Sequence, residues 1–260
     1  MGAADRSLAG RRGPEVNSPV VVAAPAKLTL SLRITGVRED GYHLIDAEMV
    51  ALAWADTVTI TPGGIGLTAD GPFAAGMPLD DTNLVAKALR LAGRDAAVHL
   101  HKVIPHGGGL GGGSSDAAAV LRWAGYTDVA GAARLGADVS FCLVGGRARV
   151  RGIGEVVEPL PFQAQDITLV VPPLAVSTPA AYRAWDELGG PTADGPNDLE
   201  PAALVVEPRL AEWRDRIAEA AGQRPVLAGS GATWFLPGHH AIADALPDAM
   251  VALTRTDRPQ

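Results

Sequence analysis

Residues 105–120 read PHGGGLGGGSSDAAAV, in which six glycines surround a single leucine. Glycine loses more conformational freedom on folding than any other residue, so ordering six of them opposes folding unless the bare backbone has a use. Two uses are open: a flexible linker, or a loop whose exposed amides bind an anion. The flanking sequence favours the second, because residues 98–104 predict a short strand ended by Pro105, and Ser114 begins an alanine-rich helix.

A glycine loop that leads into a helix offers unpaired backbone amides and the positive end of the helix dipole, which together bind phosphate. Residues 107–112 satisfy the pattern G-x-G-x-x-G only trivially, and no acidic residue follows at the spacing that a dinucleotide fold needs. A Walker loop needs Gly-Lys-Ser or Gly-Lys-Thr, whereas Gly113 is followed by Ser114. The chain also lacks the His-Arg-Asp and Asp-Phe-Gly motifs of protein kinases. These exclusions leave a nucleotide phosphate loop of another family.

The composition narrows the class of protein further. With 47% hydrophobic and 20% charged residues, the 260-residue chain has material for one large domain or two moderate ones. Its net charge of -7 without a basic stripe predicts no nucleic-acid partner, and no apolar run reaches the length of a membrane span. Cys142, the only cysteine, allows no internal disulfide, which fits a reducing cytoplasm, and we expect it to be inert and buried. The polar residues 1–18 predict a flexible arm.

Hydrophobic periodicity and turn residues predict alternating strands and helices along the rest of the chain. Thr82 is predicted to cap a helix that ends at Gly93, and Thr178 to cap another with Pro179 at its first position. The predicted strands cover residues 20–22, 28–34, 57–61, 98–104, 148–157, 167–171, 233–236 and 250–253, and a further helix covers 208–221. Pro159 and Pro161 indicate a domain boundary near residue 163. We therefore predict an α+β protein with domains at 19–163 and 164–260.

The glycine segment resembles the phosphate-binding motif of the GHMP kinases (galacto-, homoserine, mevalonate and phosphomevalonate kinases), Pro-x-x-x-Gly-Leu-Gly-x-x-Ser followed by small residues. Seven companion segments are similar to other motifs of that superfamily in the same order: residues 25–30, 40–43, 81–85, 136–139, 152–155, 197–201 and 229–232. Within the superfamily, the extra glycines are most similar to members that phosphorylate a cytidine-diphosphate-linked methylerythritol in the non-mevalonate isoprenoid pathway.

This resemblance implies a two-domain GHMP kinase fold, with an N-terminal α/β domain like ribosomal protein S5 and a C-terminal ferredoxin-like α+β domain. It implies an ATP- and Mg²⁺-dependent transfer of the γ-phosphoryl group to the 2-hydroxyl of the substrate, in a cleft between the two halves. A cytoplasmic monomer or homodimer is expected, with no nucleic acid and no membrane as partner. The alternatives are another GHMP kinase, of the homoserine or mevalonate type, and a nucleotide-binding relative without turnover.

The resemblance also assigns roles to residues. Lys27 and Asp138 fall on the catalytic lysine and aspartate of the superfamily, although a surface lysine and a loop-capping aspartate are the ordinary alternatives. The expected ATP-binding residues are Pro105, His106, Gly107, Gly108, Gly109, Leu110, Gly111, Gly112, Gly113, Ser114 and Ser115. The expected substrate-binding residues are Tyr42, His43, Tyr182, Gly229, Ser230 and Gly231; their alternatives are a closed turn at residues 42–43 and a tight bend at 229–231. No metal ligands are assigned, and Asn197 and Asp198 are expected to support the fold.

The chain departs from the superfamily between Trp123 and Gly136. This segment is shorter than usual, because the helix that begins at Ser114 ends near Gly125. Little sequence is left for a second helix ahead of Asp138, so altered packing is expected around that residue.

Overall fold

A computed structural model of the chain describes residues 18–259, so the predicted arm over residues 1–18 lies, apart from Ser18, outside the described residues. The first half contains β1 (Val20–Val37), β2 (His43–Pro62), β3 (Leu67–Asp70), α1 (Leu84–Ala92), β4 (Ala96–His101), α2 (Gly112–Trp123), α3 (Val129–Ala133), α4 (Ala137–Val144), β5 (Arg147–Gly152) and β6 (Val156–Pro159). The second half contains β7 (Asp166–Val171), α5 (Thr178–Glu187), α6 (Glu200–Val206), α7 (Arg209–Ala221), β8 (Val226–Leu227), β9 (Trp234–Pro237) and β10 (Met250–Arg255).

The first sheet is organised around the long strand β2. On one edge, β1 pairs antiparallel with β2 from Val20 opposite Ile60 to Val37 opposite His43. On the other edge, β4 pairs with the end of β2 and β5 with its beginning. The sheet is completed by β3, which lies parallel to β4, and by β6, which lies antiparallel to β5. The alternation seen at residues 28–34 thus belongs to an 18-residue strand, which also contains the strand predicted at residues 20–22.

The second sheet is antiparallel and has the order β10-β7-β9-β8. One apolar core lies in the first half of the chain and another beneath the second sheet. A third joins the two sheets and contains, among others, Leu28, Leu52 and Leu110 from the first half with Leu169 and Phe235 from the second. Trp185 and Leu199, although late in the chain, belong to the first core. The two halves are therefore held together by buried apolar side chains.

Several predicted element ends were wrong. The strand predicted at residues 98–104 covers Ala96–His101, because the next amides, of Val103 and Ile104, donate to Asp56 Oδ1 at 2.6 and 2.9 Å. The helix predicted from Ser114 begins two residues earlier, at Gly112.

The two predicted helix caps were also displaced. Asn83 caps α1 by accepting from the Val85 amide at 2.8 Å, while the hydroxyl of Thr82 donates to Asp80. Ser177 occupies the capping position of α5, and the hydroxyl of Thr178 bonds to Ser230 instead. In both helices the cap lies one residue from its predicted position, because another polar side chain competes for the predicted hydroxyl.

The short segment between Trp123 and Gly136 does accommodate a helix. This helix, α3, has five residues, and Asp128 caps it by accepting from the Gly131 amide at 2.9 Å. The following helix α4 carries Asp138 in its first turn. Cys142 on α4 is buried, as predicted, and burial raises the pKa of its thiol to about 12. None of the helices in residues 18–259 is long and apolar enough to span a bilayer.

Candidate active site

A cavity of about 570 Å³ lies where β1, α4 and α5 meet the glycine loop. Eight of the predicted site residues line it: Lys27, Tyr42, His43, Ser114, Asp138, Tyr182, Gly229 and Ser230. The structure thus brings together both predicted catalytic residues, part of the phosphate loop and most of the predicted substrate residues. Four further polar residues, Thr29, Thr178, Arg183 and Asp186, also line this cavity.

Lys27 and Asp138 form an ion pair in the cavity. Lys27 Nζ lies 3.3 Å from Asp138 Oδ2 and donates to Thr29 Oγ1, also at 3.3 Å. The lysine side chain is only 7% exposed, whereas that of the aspartate is 32% exposed. Asp138 gains further stabilisation from its place in the first turn of α4, where the helix dipole favours a negative charge. A cation and a reachable carboxylate are therefore held side by side.

The glycine loop approaches Lys27 closely enough to require glycine. Gly107, Gly109 and Gly111 have φ values of 73°, 80° and 68°, in the left-handed region that favours glycine. A Cβ atom on Gly111 would lie 2.6 Å from Lys27 Cγ. The Lys27 amide also donates to the carbonyl oxygen of Leu110 at 2.9 Å. The glycine loop and β1 are thus in close contact at Lys27.

The amino terminus of α2 carries free amide donors. The first helical hydrogen bond runs from the Ser115 amide to the Gly111 carbonyl oxygen, at 2.8 Å. The amides of Gly112, Gly113 and Ser114 donate to no group within residues 18–259. Ser115 is buried and donates its hydroxyl to the carbonyl oxygen of Pro25 at 2.6 Å, which anchors the helix to β1. Free amides at the start of a helix are the arrangement on which the predicted phosphate loop depends.

Residues 229–231 form a second glycine-rich turn against the first. A Cβ atom on Gly231 would lie 2.5 Å from the carbonyl oxygen of Gly108, so the two backbones touch. The buried side-chain amide of Asn197 donates to the carbonyl oxygens of Leu227 and Gly229, at 2.9 and 2.7 Å. Asn197 therefore positions this turn, in line with the structural role expected for it.

A sealed ionic cluster lies behind the phosphate loop. Lys102 Nζ donates to both Asp56 Oδ2 and Asp116 Oδ2, and all three side chains are at most 1% exposed. Burial raises the pKa of Asp116 to about 7, against the opposing attraction of Lys102. Asp116 Oδ1 has no hydrogen-bond partner within residues 18–259. No sequence feature indicated this cluster, since a lone lysine at the end of a strand is typical of a solvated surface.

Aromatic rings form the opposite wall of the cavity. The rings of His43 and Tyr182 lie 4.7 Å apart between centroids with a tilt of 33°. Burial, with the nearby charge of Asp138, raises the pKa of Tyr182 to about 12, so its hydroxyl stays protonated at neutral pH. Tyr42 is 59% exposed at the rim, with the guanidinium of Arg38 over its ring at 5.6 Å.

Two of the predicted ATP-binding residues line a different cavity. Pro105 and His106 line a second cavity of about 550 Å³ with Phe73 and the residues that follow β7.

The missed residues Arg183 and Asp186 follow Tyr182 on α5 by one and four positions. Since residues four apart share a helix face, the prediction of Tyr182 as a site residue carried a signal for Asp186.

Comparison with known proteins identifies the family. The profile of the GHMP kinases N terminal domain matches residues 83–146, which contain the glycine loop and Asp138. A 4-diphosphocytidyl-2-C-methyl-D-erythritol kinase from Paracoccus denitrificans is 41% identical over 232 residues, covering 82% of this chain and 85% of that protein. The chain belongs to the 4-diphosphocytidyl-2-C-methyl-D-erythritol kinase family. A family member from Ruegeria pomeroyi is 39% identical over 240 residues and covers similar shares, 82% and 86%.

Solved structures agree with this family assignment. A crystal structure of 4-(cytidine 5'-diphospho)-2C-methyl-D-erythritol kinase matches with a TM-score of 0.74 at 33% identity, covering 92% of this chain and all of that one. Homoserine kinase from Cytophaga hutchinsonii matches with a TM-score of 0.64 at 18% identity, covering 93% and 95%, and shares the fold. The predictions of an α+β GHMP kinase fold and of a small-molecule kinase are confirmed.

Proposed function

We propose that this member of the 4-diphosphocytidyl-2-C-methyl-D-erythritol kinase family transfers the γ-phosphoryl group of ATP to the 2-hydroxyl of 4-diphosphocytidyl-2-C-methyl-D-erythritol. The observation that carries the proposal is the Lys27–Asp138 ion pair in one cavity with the His43 and Tyr182 rings. The hydroxyl end of the substrate would thus lie at the Lys27–Asp138 ion pair, and its base would lie at the His43 and Tyr182 rings.

In this mechanism Asp138 accepts the proton of the attacking hydroxyl. The hydroxyl oxygen forms a bond to the γ-phosphorus, the bond from that phosphorus to the β-phosphate oxygen breaks, and ADP leaves with the electron pair. The partial exposure of Asp138 leaves its carboxylate accessible to the substrate, and Lys27 Nζ lies 3.3 Å from it.

Positive groups around the cavity would stabilise the charge on the transferring phosphoryl group. The free amides of Gly112, Gly113 and Ser114 would face the ATP phosphates at the positive end of α2. The Lys27 ammonium would lie between these phosphates and Asp138. The second cavity, with Pro105 and His106 on its wall, begins at the other end of the loop and would receive the nucleoside of ATP.

Mg²⁺ bound with ATP would neutralise charge on the phosphates during transfer. Within residues 18–259 no group of three or more His, Cys, Asp or Glu side chains could hold a metal ion. Mg²⁺ commonly binds through one or two protein oxygens together with substrate phosphates, and such a donor set is present here. Ser114, which lines the cavity at the amino terminus of α2, is the residue that would hold it through its hydroxyl oxygen.

The cytidine-diphosphate end of the substrate matches the other side of the cavity. His43 and Tyr182 would contact the base, with Tyr42 at the rim. Arg183 lines the cavity and forms no ion pair within the described part of the chain, so it can bind the diphosphate. Ser230 and Gly229 would border the phosphates from the second glycine turn. Homoserine and mevalonate carry no base, so neither would use this aromatic wall.

An ADP-release assay with purified protein, ATP and Mg²⁺ tests the proposal. We expect turnover with 4-diphosphocytidyl-2-C-methyl-D-erythritol and none with homoserine or mevalonate. Preference for homoserine or mevalonate would support the other type of GHMP kinase. Binding of ATP without turnover of any of the three alcohols would support a non-catalytic relative.

The proposal also includes the fold and the bounds of the two domains. We infer an ATP-binding domain like ribosomal protein S5 at residues 19–163 and a ferredoxin-like substrate domain at 164–260. The change of sheet between β6 and β7 supports this division, although Trp185 on α5 and Leu199, which precedes α6, belong to the first core. A cytoplasmic monomer or homodimer remains our prediction for its location and assembly.

A further inference from the structure

A carboxylate on α5 contacts the histidine of the aromatic wall. Asp186 Oδ1 lies 2.8 Å from His43 Nε2, although the two residues are 143 positions apart in the chain. The His43 side chain is 10% exposed and that of Asp186 is 49% exposed. Both residues line the cavity that holds Lys27 and Asp138. No interaction between them was expected from the sequence.

The same helix fixes the orientation of the His43 ring. Tyr182 lies against it at 4.7 Å, and Trp185 meets it edge-on at 5.5 Å with an interplanar angle of 83°. Trp185 is itself held, because its indole N–H donates to the carbonyl oxygen of Pro191 at 2.9 Å. With Asp186, three side chains of α5 restrain one imidazole, so neither ring position nor ring rotation is free.

The contact with Asp186 determines which nitrogen carries the proton. An ionised carboxylate only accepts hydrogen bonds, so His43 Nε2 must donate, and the neutral ring then has an unprotonated Nδ1. His43 Nδ1 has no hydrogen-bond partner within residues 18–259. The imidazole therefore offers a ligand an acceptor and not a donor.

We propose that Asp186 is a positioning residue that fixes the tautomer of His43 and thereby makes the cavity select cytosine over uracil. The inference rests on the proposed function, because it takes the base of the substrate to contact His43. Cytosine carries an exocyclic amine, which donates, where uracil carries a carbonyl oxygen, which accepts. The unprotonated Nδ1 accepts a hydrogen bond from the exocyclic amine of cytosine. When uracil is bound, the same nitrogen faces a carbonyl oxygen, and neither atom can donate. Such a mismatch should lower the affinity by about tenfold to hundredfold, which is about 1.4–2.7 kcal/mol.

Calorimetric binding of CDP and UDP to the full chain tests the selection. We expect the wild type to bind CDP at least about tenfold more tightly than UDP, and Asp186→Ala to reduce that ratio to about threefold or less. Glu187→Ala is the matched control, since it removes the same charge from the neighbouring position, which does not line the cavity, and it should retain the wild-type ratio. An unchanged ratio in Asp186→Ala, or an equal loss in Glu187→Ala, would overturn the proposal.

Nitrogen-15 NMR of the histidine rings at pH 8 gives a second, direct readout. The His43 signal, assigned through its loss in His43→Gln, should show a protonated Nε2 and a bare Nδ1 in the wild type. In Asp186→Ala we expect a mixture of both tautomers. A wild-type ring with its proton on Nδ1 would contradict the inference, whatever the binding data show.

The two proposals fail in different ways. If the wild type phosphorylates the cytidylylated substrate but Asp186→Ala keeps both the CDP preference and the tautomer, the proposed function stands and the role of Asp186 is wrong. If the wild type binds neither CDP nor UDP and does not turn over the substrate, the proposed function is wrong. The proposed selection of cytosine over uracil is then wrong as well.

Discussion

Two lysine–aspartate groupings lie on either side of the phosphate loop and differ mainly in access to solvent. Lys27 and Asp138 border the cavity, and the carboxylate is about one-third exposed. Lys102, Asp56 and Asp116 are sealed, with side chains at most 1% exposed. Adjacent glycines separate the two groups: Gly111 approaches Lys27, and a Cβ on Gly112 would lie 3.3 Å from Asp56 Oδ2.

This difference in exposure indicates which of the two groups can take part in proton transfer. A proton-accepting carboxylate must reach its substrate, so only the open pair meets that requirement. In the sealed group the charges cannot meet a ligand, and their desolvation has to be offset by each other and by the Val103 and Ile104 amides. We therefore expect the open pair to control turnover and the sealed group to control stability.

The largest effect is expected from Asp138→Asn. Without the carboxylate the attacking hydroxyl has no proton acceptor, so kcat should fall by about 100- to 10,000-fold. The free energy of unfolding and the affinity for ATP should change little, because Asp138 is partly exposed. Steady-state kinetics with urea unfolding measure both. Asp244→Asn, an exposed position outside the cavity, is the control, and an unchanged kcat in Asp138→Asn would remove that residue from the mechanism.

Lys102→Met should show the opposite pattern. Removing the cation leaves two buried carboxylates facing each other, which should lower the free energy of unfolding by about 3–5 kcal/mol. Urea unfolding at pH 8 measures this, with Lys87→Met as control because Lys87 lies on α1 without an ion pair in the described chain. A stability like that of the control, with turnover lost, would mean that the sealed group acts in catalysis.

Asp116→Asn tests the sealed group through pH. The folded-state pKa of Asp116, about 7, lies above its unfolded value of 3.8, so the folded protein retains a proton that the unfolded chain releases. The contribution of this retained proton to the free energy of unfolding is fully present below about pH 4. It falls by up to about 1.4 kcal/mol per pH unit as the pH rises to about 7.

The variant lacks this titration. Its free energy of unfolding, measured relative to wild type by urea unfolding at pH 5, 6, 7 and 8, should rise up to about pH 7 and then level off. A constant difference across these pH values would show that Asp116 is ionised throughout the range.

The smallest effect is expected from the glycines that separate the two groups. Gly111→Ala places a Cβ against Lys27 at a φ of 68°, so it should cost about 1–2 kcal/mol of stability and also raise the KM for ATP. Gly113→Ala is the matched control, because its nearest neighbour, Leu84 Cδ1, is 4.0 Å from the added Cβ. Equal behaviour of the two variants would contradict a fitted contact between the loop and Lys27.

Much of this site could be predicted from local sequence. The glycine loop between a strand and a helix needs only local features, and the motifs of Lys27, His43 and Asp138 are contiguous stretches. Errors concentrated where distant groups compete for the backbone. Asp56, far away in the chain, takes the amides that would have extended β4, and Ser230 takes the hydroxyl expected to cap α5.

The sequence by itself indicated the phosphate loop, because glycine φ preferences and helix dipoles are local properties. Its resemblance to the GHMP kinase motifs indicated the superfamily and the two predicted catalytic residues. Only the tertiary structure decided which charges are open and which are sealed. Lys27 lies in β1 and Lys102 directly follows β4, and no local sequence feature indicates which of the two is sealed. Their difference arises from burial and from partners brought together across 14 to 111 positions, and the same holds for Asp186 and His43. Electrostatic environment depends on the whole fold, and so does the division of labour among these residues.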